Sequence, residues 1–248
     1  MSDILISDEG SVRIIRINRP EKKNALTLPM YTAMAEAIGT AAKADAVRCL
    51  MLAGSPAAFC AGNDIGDFIA MAQSGALGQP ILDFLYALVR SEKPVVAAVN
   101  GNAVGIGTTM LLHCDYVVAG TDAKLSTPFV GLGLVPEAAS SLIAPRLMGQ
   151  ARTFALLVMG QALSAAEARE AGIVNALCDP GETDATALAA AQRIAALPAQ
   201  GVLLSRRLMR GAPDEIIARI DEEAEAFKAR LKSPEAQAAF MAFMSRKK

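Results

Sequence analysis

The sequence predicts an α/β fold, because short apolar strand patterns alternate with helical patterns through its first two thirds. Two observations support this prediction. Val95–Val99 is wholly apolar, which is typical of a strand covered on both faces. Glycine turns at 59–65 and 100–107 each follow an apolar strand pattern and lead toward a helix. We therefore expect parallel strands that are buried beneath helices.

The first elements are a strand, a helix and a second strand. Val12–Asn18 alternates apolar with basic residues and then meets a proline, which predicts a strand that ends at a loop. Thr27 suits the N-cap position of a helix that continues to about Ala44. Val47–Leu52 is apolar except for Arg48 and is followed by Ala-Gly, which indicates the second strand.

The middle of the chain continues the alternation. Ile65–Met71 and Ile81–Arg90 have helical patterns, and Val95–Val99 follows as a strand. Thr108–His113 indicates a helix that leaves the second glycine turn. Tyr116–Ala119 indicates a further strand. The chain thus repeats strand and helix up to this point.

The last third of the sequence predicts helices. Ser164–Glu167 matches a capping box, and Gly172 is placed to end that helix. Pro213 and Pro234 mark two further helix starts.

The densest charge of the chain lies in its C-terminal part, which is helical from roughly Leu197 onward. We therefore predict a core over residues 1–196 and a C-terminal helical region over residues 197–248.

Composition excludes several classes of function. The formal net charge of −1 gives no electrostatic reason to expect nucleic acid or an anionic membrane as a partner. No apolar run reaches the length of a membrane span, and no signal peptide is visible at the start. The four cysteines show no paired spacing and are expected to be free thiols of a reducing compartment. We expect a soluble, cytoplasmic protein.

Familiar catalytic signatures are missing from the sequence. Gly105-Ile106-Gly107 lacks the third glycine of a dinucleotide fingerprint, and the following residues lack a phosphate-loop lysine. The single histidine, His113, lies in an apolar helix, so a structural role is expected for it. One histidine and no clustered cysteines predict no metal site.

The two glycine turns are the strongest chemical signal. Gly62 and Gly105 could serve tight turns alone, since glycine permits positive φ. Both turns nevertheless lead toward helix N-termini, where free N–H groups favour negative charge. Two backbone N–H groups aimed into one cleft form an oxyanion hole, which stabilises charge on a carbonyl oxygen.

Three segments resemble the enoyl-CoA hydratase/isomerase (crotonase) superfamily: 59–65 (FCAGNDI), 97–101 (AAVNG) and 114–116 (CDY). The resemblance covers nearly the whole chain. It implies a crotonase-like β-β-α spiral core with a C-terminal helical region that mediates trimers, often paired into hexamers. It also implies an acyl-CoA thioester as ligand. Coenzyme A would then be part of the substrate, and no prosthetic group is expected.

The resemblance assigns roles to residues of both turns. By motif, the oxyanion donors are the backbone N–H groups of Asn63 and Ile106. Residues that would contact coenzyme A lie in two segments: Lys23, Ala25 and Leu26, and then Ala61, Gly62, Asp64 and Ile65. A solvated loop is the alternative interpretation of the lysines at 22–23. Gly105, Gly107, Thr109 and Phe129 would line the substrate pocket.

The sequence departs from the family's hydratases at two positions. These hydratases carry a glutamate just after the second glycine turn, where this chain has Thr109. They carry another after a proline about twenty residues on, where Phe129 follows Pro128. Hydration needs groups that activate water and move the α-proton. Threonine and phenylalanine supply no carboxylate, so efficient hydratase activity is not expected.

One acid remains in this part of the chain, Glu137. The stretch 127–141 is similar to peroxisomal-type Δ3,Δ2-enoyl-CoA isomerases, in which the glutamate after the proline is the single base. The alternative interpretation is ordinary helix-start chemistry, with Pro136 at the first helical position. An apolar wall containing Phe129 would desolvate Glu137 and raise its pKa.

The expected function is therefore a Δ3,Δ2-enoyl-CoA isomerase that uses Glu137 for a 1,3-proton shift. Another crotonase-type enzyme, such as a hydratase, is the nearest alternative. A non-catalytic acyl-CoA binding or scaffold protein is the alternative from another class. The expected assembly is a homotrimer or homohexamer.

Overall fold

A computed structural model of the chain describes residues 2–74 and 77–245. Two sheets and ten helices make up the described part, together with four short 3₁₀ turns. The strands are β1 (Ile4–Glu9), β2 (Val12–Ile17), β3 (Cys49–Ala53), β4 (Ala58–Cys60), β5 (Val95–Val99), β6 (Asn102–Val104), β7 (Tyr116–Gly120), β8 (Lys124–Ser126), β9 (Leu163–Ser164) and β10 (Ala176–Cys178). The helices are α1 (Leu28–Ala42), α2 (Ile65–Ser74), α3 (Gln79–Arg90), α4 (Ile106–Thr109), α5 (Ser140–Leu157), α6 (Ala165–Glu170), α7 (Thr183–Ala196), α8 (Ala199–Arg210), α9 (Asp214–Leu231) and α10 (Pro234–Ser245).

From β3 to β8, successive strands alternate between two sheets. The larger sheet has the order β1-β2-β3-β5-β7-β10, and the smaller has the order β4-β6-β8-β9. Each of β3, β5 and β7 is followed directly by a short strand of the smaller sheet and then by a helix. This repeated β-β-α turn winds the chain into a spiral, which is the architecture predicted for the core.

The central strands β3 and β5 of the larger sheet are buried on both faces, as the apolar strand Val95–Val99 predicts. Alternate side chains of β5 belong to two separate apolar clusters. Val96 and Ala98 pack with alanines of α7, namely Ala187, Ala191 and Ala195. Small side chains on α7 let the helix lie close to the strands. The opposite face contributes Val95, Ala97 and Val99 to the main core.

The C-terminal helices α9 and α10 pack against that main core. Phe227 and Phe240 are buried and contact Phe68 of α2, with ring centroids 5.9 and 5.3 Å apart. Gly133 lies so close to α10 that an added Cβ would be 2.7 Å from the Ala236 nitrogen. These helices therefore cover the segment that precedes α5. The division into 1–196 and 197–248 stays a prediction, with residues 246–248 outside the described range.

Several element boundaries differ from the sequence predictions. The helix expected at Thr108 begins two residues earlier, at Ile106, because Gly105 takes φ 56° and caps it. Strand β1 was not predicted, since Ile4 is its only buried residue. The capping box at Ser164 and the helix end near Gly172, which has φ 82°, are confirmed.

Within the described ranges, no single helix is long and apolar enough to cross a membrane. One bent helix pair, Pro180–Ala196 with Ala199–Arg210, meets the criterion by length and composition only.

Candidate active site

The two glycine turns lie side by side at one edge of the smaller sheet. Strands β4 and β6 run parallel, with Ala58 opposite Asn102 and Cys60 opposite Ala103. Because carboxyl ends of parallel strands meet at the same edge, the turns that follow them are neighbours. The sheet thus brings Asn63 and Ile106, the predicted oxyanion donors, to one place.

The two turns touch at Gly62 and Gly107, where no larger residue fits without a shift of the backbone. A Cβ on Gly62 would lie 3.1 Å from the Val104 oxygen, and Gly62 itself takes φ 91°. A Cβ on Gly107 would lie 2.6 Å from the Cys60 oxygen. Real Cβ atoms do not approach backbone this closely, so a larger residue at Gly107 would push the turns apart.

Both donor amides are free to bind a ligand. Ile106 is the first residue of α4, so its N–H has no partner within the helix. Asn63 lies between Leu26 and α2, and its neighbours Gly62 and Asp64 make the backbone bonds to Leu26. Within residues 2–74 and 77–245, neither N–H has a backbone acceptor. Preorganised donors of this kind stabilise an oxyanion.

Tyr31 on α1 supports the first donor, and the sequence analysis did not identify it. Its hydroxyl donates to Oδ1 of Asn63 over 2.5 Å. The Tyr31 ring is 1% exposed and packs on Phe84 with centroids 5.6 Å apart. Burial, followed by the nearby Glu137, holds the pKa of Tyr31 well above its ordinary value. The neutral phenol therefore serves as a donor that orients the Asn63 side chain.

Glu137 is held against α4 by a hydrogen bond. Oγ1 of Thr109 donates to Oε1 of Glu137 over 3.1 Å, and Thr109 lies one helical turn after Ile106. Glu137 keeps a partly exposed surface, but protein surrounds its carboxyl. Desolvation raises the pKa of Glu137 to about 8, against the lowering effect of Thr109. The shift has the direction that was predicted.

The helix-start interpretation of Glu137 is wrong, because α5 begins at Ser140. Ala138 and Ala139 separate Glu137 from the helix, with left-handed φ values of 61° and 54°. Such a conformation costs a residue with a Cβ about 1–2 kcal/mol. Contacts with neighbouring residues must therefore stabilise the Ala138-Ala139 turn. This turn directs the Glu137 side chain toward Thr109 of α4.

His113 has the structural role that was expected. Its ring is buried, and Nε2 lies 2.8 Å from the Ala138 oxygen. Burial lowers the pKa of His113 to about 4, so the ring is neutral at pH 7. A neutral ring whose Nε2 donates to this carbonyl helps to fix the turn after Glu137.

The remaining predicted pocket residues lie around the same edge. Phe129 is 6% exposed, and its Cε1 would lie 3.8 Å from a Cβ on Gly105. Thr109 and Gly107 are fully enclosed in α4. Two clefts of about 130 and 350 Å³ lie elsewhere, against α8.

The predicted coenzyme A segments are hydrogen-bonded to each other. The Lys23 oxygen accepts from Ala61 N at 3.1 Å, and Leu26 N donates to the Gly62 oxygen at 2.8 Å. Asp64 N donates to the Leu26 oxygen at 2.8 Å. The structure therefore brings these residues together beside Asn63, one of the two predicted oxyanion donors.

Charged side chains lie on and beside the two predicted coenzyme A segments. The Lys23 side chain is exposed, and its backbone takes φ 51°. Arg19 bridges the two segments by donating to the Ala25 oxygen at 3.1 Å and to Asp64 Oδ2 at 2.7 Å. Ile65 begins α2 directly after this ion pair.

Within the part of the chain that the structure describes, no group of three His, Cys, Asp or Glu side chains could hold a metal ion. The chemistry available at the site consists of one carboxyl with a raised pKa beside two free backbone amides.

The spiral of β-β-α turns, with paired glycine turns at one sheet edge, is the crotonase fold. The family model described as enoyl-CoA hydratase/isomerase matches residues 7–248. The chain belongs to the enoyl-CoA hydratase/isomerase family.

Among curated relatives, the chain is 35% identical over 218 residues to 1,2-epoxyphenylacetyl-CoA isomerase of Escherichia coli, covering 86% of this chain and 83% of that protein. It is 34% identical over 250 residues to enoyl-CoA delta isomerase 2 of Rattus norvegicus. That match covers 98% of this chain but only 64% of the rat protein, so the chain spans less than two thirds of it.

Among solved structures, that of OdaA from Pseudomonas aeruginosa superposes with a TM-score of 0.93 at 45% identity. The match covers 98% of this chain and 99% of that protein. Isomerases with different substrates thus occur among the relatives, and the family description also includes hydratases.

Proposed function

We propose that this protein is a Δ3,Δ2-enoyl-CoA isomerase that moves one proton with a single carboxyl group. One observation carries the proposal. Glu137, with a pKa raised to about 8, is hydrogen-bonded to the short helix whose first residue is Ile106. A general base whose pKa lies near the working pH is well suited to proton transfer.

The first step of the reaction breaks a C–H bond at C2 of a 3-enoyl-CoA. Glu137 takes the proton, and the electron pair of that bond moves into the thioester, which gives a conjugated dienolate. The negative charge lies on the thioester oxygen, where the N–H groups of Asn63 and Ile106 donate to it. Each donor of such a site contributes about 2.7–4 kcal/mol to the transition state.

The second step returns the same proton to C4. The dienolate electrons form the new C4–H bond, the double bond comes to lie between C2 and C3, and Glu137 is again a carboxylate. Atoms and electrons balance without a co-reactant. One base on one face of the dienolate is sufficient for both steps.

Water addition is disfavoured by the residues at the two hydratase positions. Thr109 supplies a hydroxyl that is already bound to Glu137, and Phe129 supplies an apolar ring. Neither can activate a water molecule as a base.

Coenzyme A would lie along the two hydrogen-bonded segments that include Lys23, Leu26 and Ala61. The exposed Lys23 ammonium suits a phosphate, and the buried Leu26 fixes the loop beside the oxyanion donors. Coenzyme A enters as part of the substrate and no prosthetic group takes part in the proposed steps.

The proposed assembly is a homotrimer or homohexamer. Helix α8 exposes large apolar side chains, with Leu208 85% and Met209 80% exposed in the single chain. Large apolar side chains that are exposed close together on one helix support an interface at this surface.

The experiment is a side-by-side assay of two substrates, 3-hexenoyl-CoA for isomerisation and crotonyl-CoA for hydration. The proposal expects isomerisation to exceed hydration in kcat/KM by at least about 100-fold. Faster hydration would assign the protein to the hydratases. Acyl-CoA binding without turnover of either thioester would indicate a non-catalytic binding protein.

A further inference from the structure

A second buried acid, Glu223, contacts the residues that follow Glu137 in the chain. It belongs to α9 in the C-terminal helical region, and it is 6% exposed. The sequence around it is DEEAE at 221–225, in which the neighbours Asp221, Glu222 and Glu225 are exposed. Glu223 is therefore the member of this acidic run that points into the protein.

Three donors converge on the Glu223 carboxylate. Ala139 N donates to Oε2 over 2.6 Å, and Ser141 N donates to Oε1 over 3.0 Å. The Ser141 hydroxyl also donates to Oε1, over 2.5 Å. Hydrogen bonds to an ionised acceptor are the strong class, and three of them favour the carboxylate form.

One of these donors, Ala139 N, belongs to the turn that directs Glu137, and the other two belong to Ser141 in the first turn of α5. Ala138 and Ala139 follow Glu137 immediately, and both adopt the left-handed conformation that alanine avoids. Glu223 holds the turn from one side, and Nε2 of His113, which binds the Ala138 oxygen, holds it from another. The orientation of the Glu137 side chain therefore depends on a contact between α9 and the start of α5.

Glu223 also acts on Glu137 through its charge. Its negative charge adds to burial in raising the pKa of Glu137. The other titratable groups near Glu137 are neutral at pH 7. Burial raises the pKa of Cys60 to about 12, keeps the pKa of Tyr31 well above its ordinary value, and lowers that of His113 to about 4.

One cation, Arg219, lies close to Glu223. Nη1 of Arg219, also on α9, donates to the Ser141 hydroxyl over 3.1 Å. Burial raises the pKa of Glu223, and the positive charge of Arg219 lowers it. Arg219 thus favours the ionised form of Glu223, against the effect of burial.

We propose that Glu223 is a positioning residue, which holds the strained Ala138-Ala139 turn and thereby directs the Glu137 carboxyl toward Thr109 and the oxyanion donors. The catalytic consequence of this role rests on the isomerase function proposed above. The geometric and electrostatic coupling of Glu223 to Glu137 does not.

The test compares Glu223→Gln with Glu225→Gln, a control at an exposed acid on the same helix. Glutamine keeps the size of the side chain but carries an NH₂ group, which opposes one of the backbone donors at Ala139 and Ser141. Two readouts are needed: kcat and KM with 3-hexenoyl-CoA, and the titration midpoint of Glu137. The midpoint is measured by NMR of ¹³C-labelled glutamate, with Glu137 assigned by its loss in Glu137→Gln.

We expect Glu223→Gln to lower kcat by about 10–100-fold, since small misplacements of a catalytic group have effects of this size. KM should stay within threefold, and the Glu137 midpoint should move to lower pH because a like charge has been removed. Glu225→Gln should change none of these quantities.

The outcomes separate the two proposals. A lowered Glu137 midpoint in a protein that shows no isomerase activity would overturn the proposed function and leave the positioning role standing. An active wild type in which Glu223→Gln keeps kcat within twofold, or keeps the Glu137 midpoint, would overturn the positioning role. An equal effect of Glu225→Gln would overturn it as well.

A second variant covers the case in which Glu223→Gln does not fold. Ser141→Ala removes one of the three donors and leaves the carboxylate in place. We expect it to lower kcat about threefold with an unchanged circular dichroism spectrum. No change in kcat, together with no change in the Glu137 midpoint, would contradict the proposal.

Discussion

At the scale of single residues, the proposed chemistry depends on the ionisation of one carboxyl group, that of Glu137. Burial raises the pKa of Glu137 and the Thr109 hydroxyl lowers it, and the resulting pKa is about 8. A base must be ionised to accept a proton, so activity should rise with pH as Glu137 loses its proton.

This balance gives a testable pH profile. We expect kcat/KM of the wild type to rise with pH through a midpoint near 8, since kcat/KM reports the free enzyme. Thr109→Val removes the hydrogen bond that favours the ionised form of Glu137. The midpoint of the kcat/KM profile of this variant should therefore move to higher pH. Thr109→Ser keeps the hydroxyl and is the control. A Thr109→Val midpoint that stays or falls would contradict this assignment.

Tyr31 holds the side chain of Asn63, whose backbone N–H is the first proposed oxyanion donor. Tyr31→Phe removes the hydroxyl that binds Asn63 Oδ1, and kcat should fall roughly tenfold, less than the 10²–10³-fold effect of losing a donor outright. Tyr86→Phe is a matched control, because the Tyr86 hydroxyl binds Asp221 on α9 away from this site. Equal kcat values in the two variants would show that Tyr31 has no part in orienting Asn63.

At the scale of secondary structure, the site is made by two turns that follow parallel strands. The turns touch because Gly107 has no Cβ, which would otherwise lie 2.6 Å from the Cys60 oxygen. The contact fixes α4 relative to the β4 turn, so both donors depend on it.

Gly107→Ala should therefore lower kcat by at least about 100-fold, which corresponds to loss of a donor. The variant should also have a lower melting temperature, since neither backbone segment can move freely. Gly131→Ala is the control, because an added Cβ there meets no atom within 4 Å. Wild-type activity in Gly107→Ala would show that the close approach of the turns is not needed.

The sequence predicts those elements whose signal is local. Val95–Val99 is apolar throughout and is found as β5 with the same bounds. Strands β6 and β8 have three residues each, too few to show a period, and they exist because of pairing with distant strands. Glu223 was missed for a similar reason, since its partners Ala139 and Ser141 are 84 and 82 residues away.

At the scale of the whole molecule, the C-terminal helices contribute to the core as well as to the surface. Ile220 and Phe227 of α9 belong to the main apolar cluster, together with Phe240 of α10. Helix α8 instead exposes Leu204, Leu208 and Met209. The region 197–248 was predicted to serve oligomerisation, and α8 is the part of it whose surface suits that role.

A change at α8 tests the predicted assembly. We expect the wild type to sediment at three or six times the mass of one chain. Leu208→Glu, at a side chain that is 85% exposed, should shift the protein to smaller species by placing a charge in an apolar interface. A wild type that sediments as a monomer would contradict the prediction.

The central claim is that Glu137 is the single base of a proton shift. Its most direct test is the rate of 3-hexenoyl-CoA isomerisation by the wild type and by Glu137→Gln, with hexanoyl-CoA affinity as the control for folding and binding. We predict that Glu137→Gln loses activity by about 10²–10⁴-fold, while the Kd for hexanoyl-CoA changes less than threefold. A variant that isomerises the substrate at more than a tenth of the wild-type rate would contradict the claim.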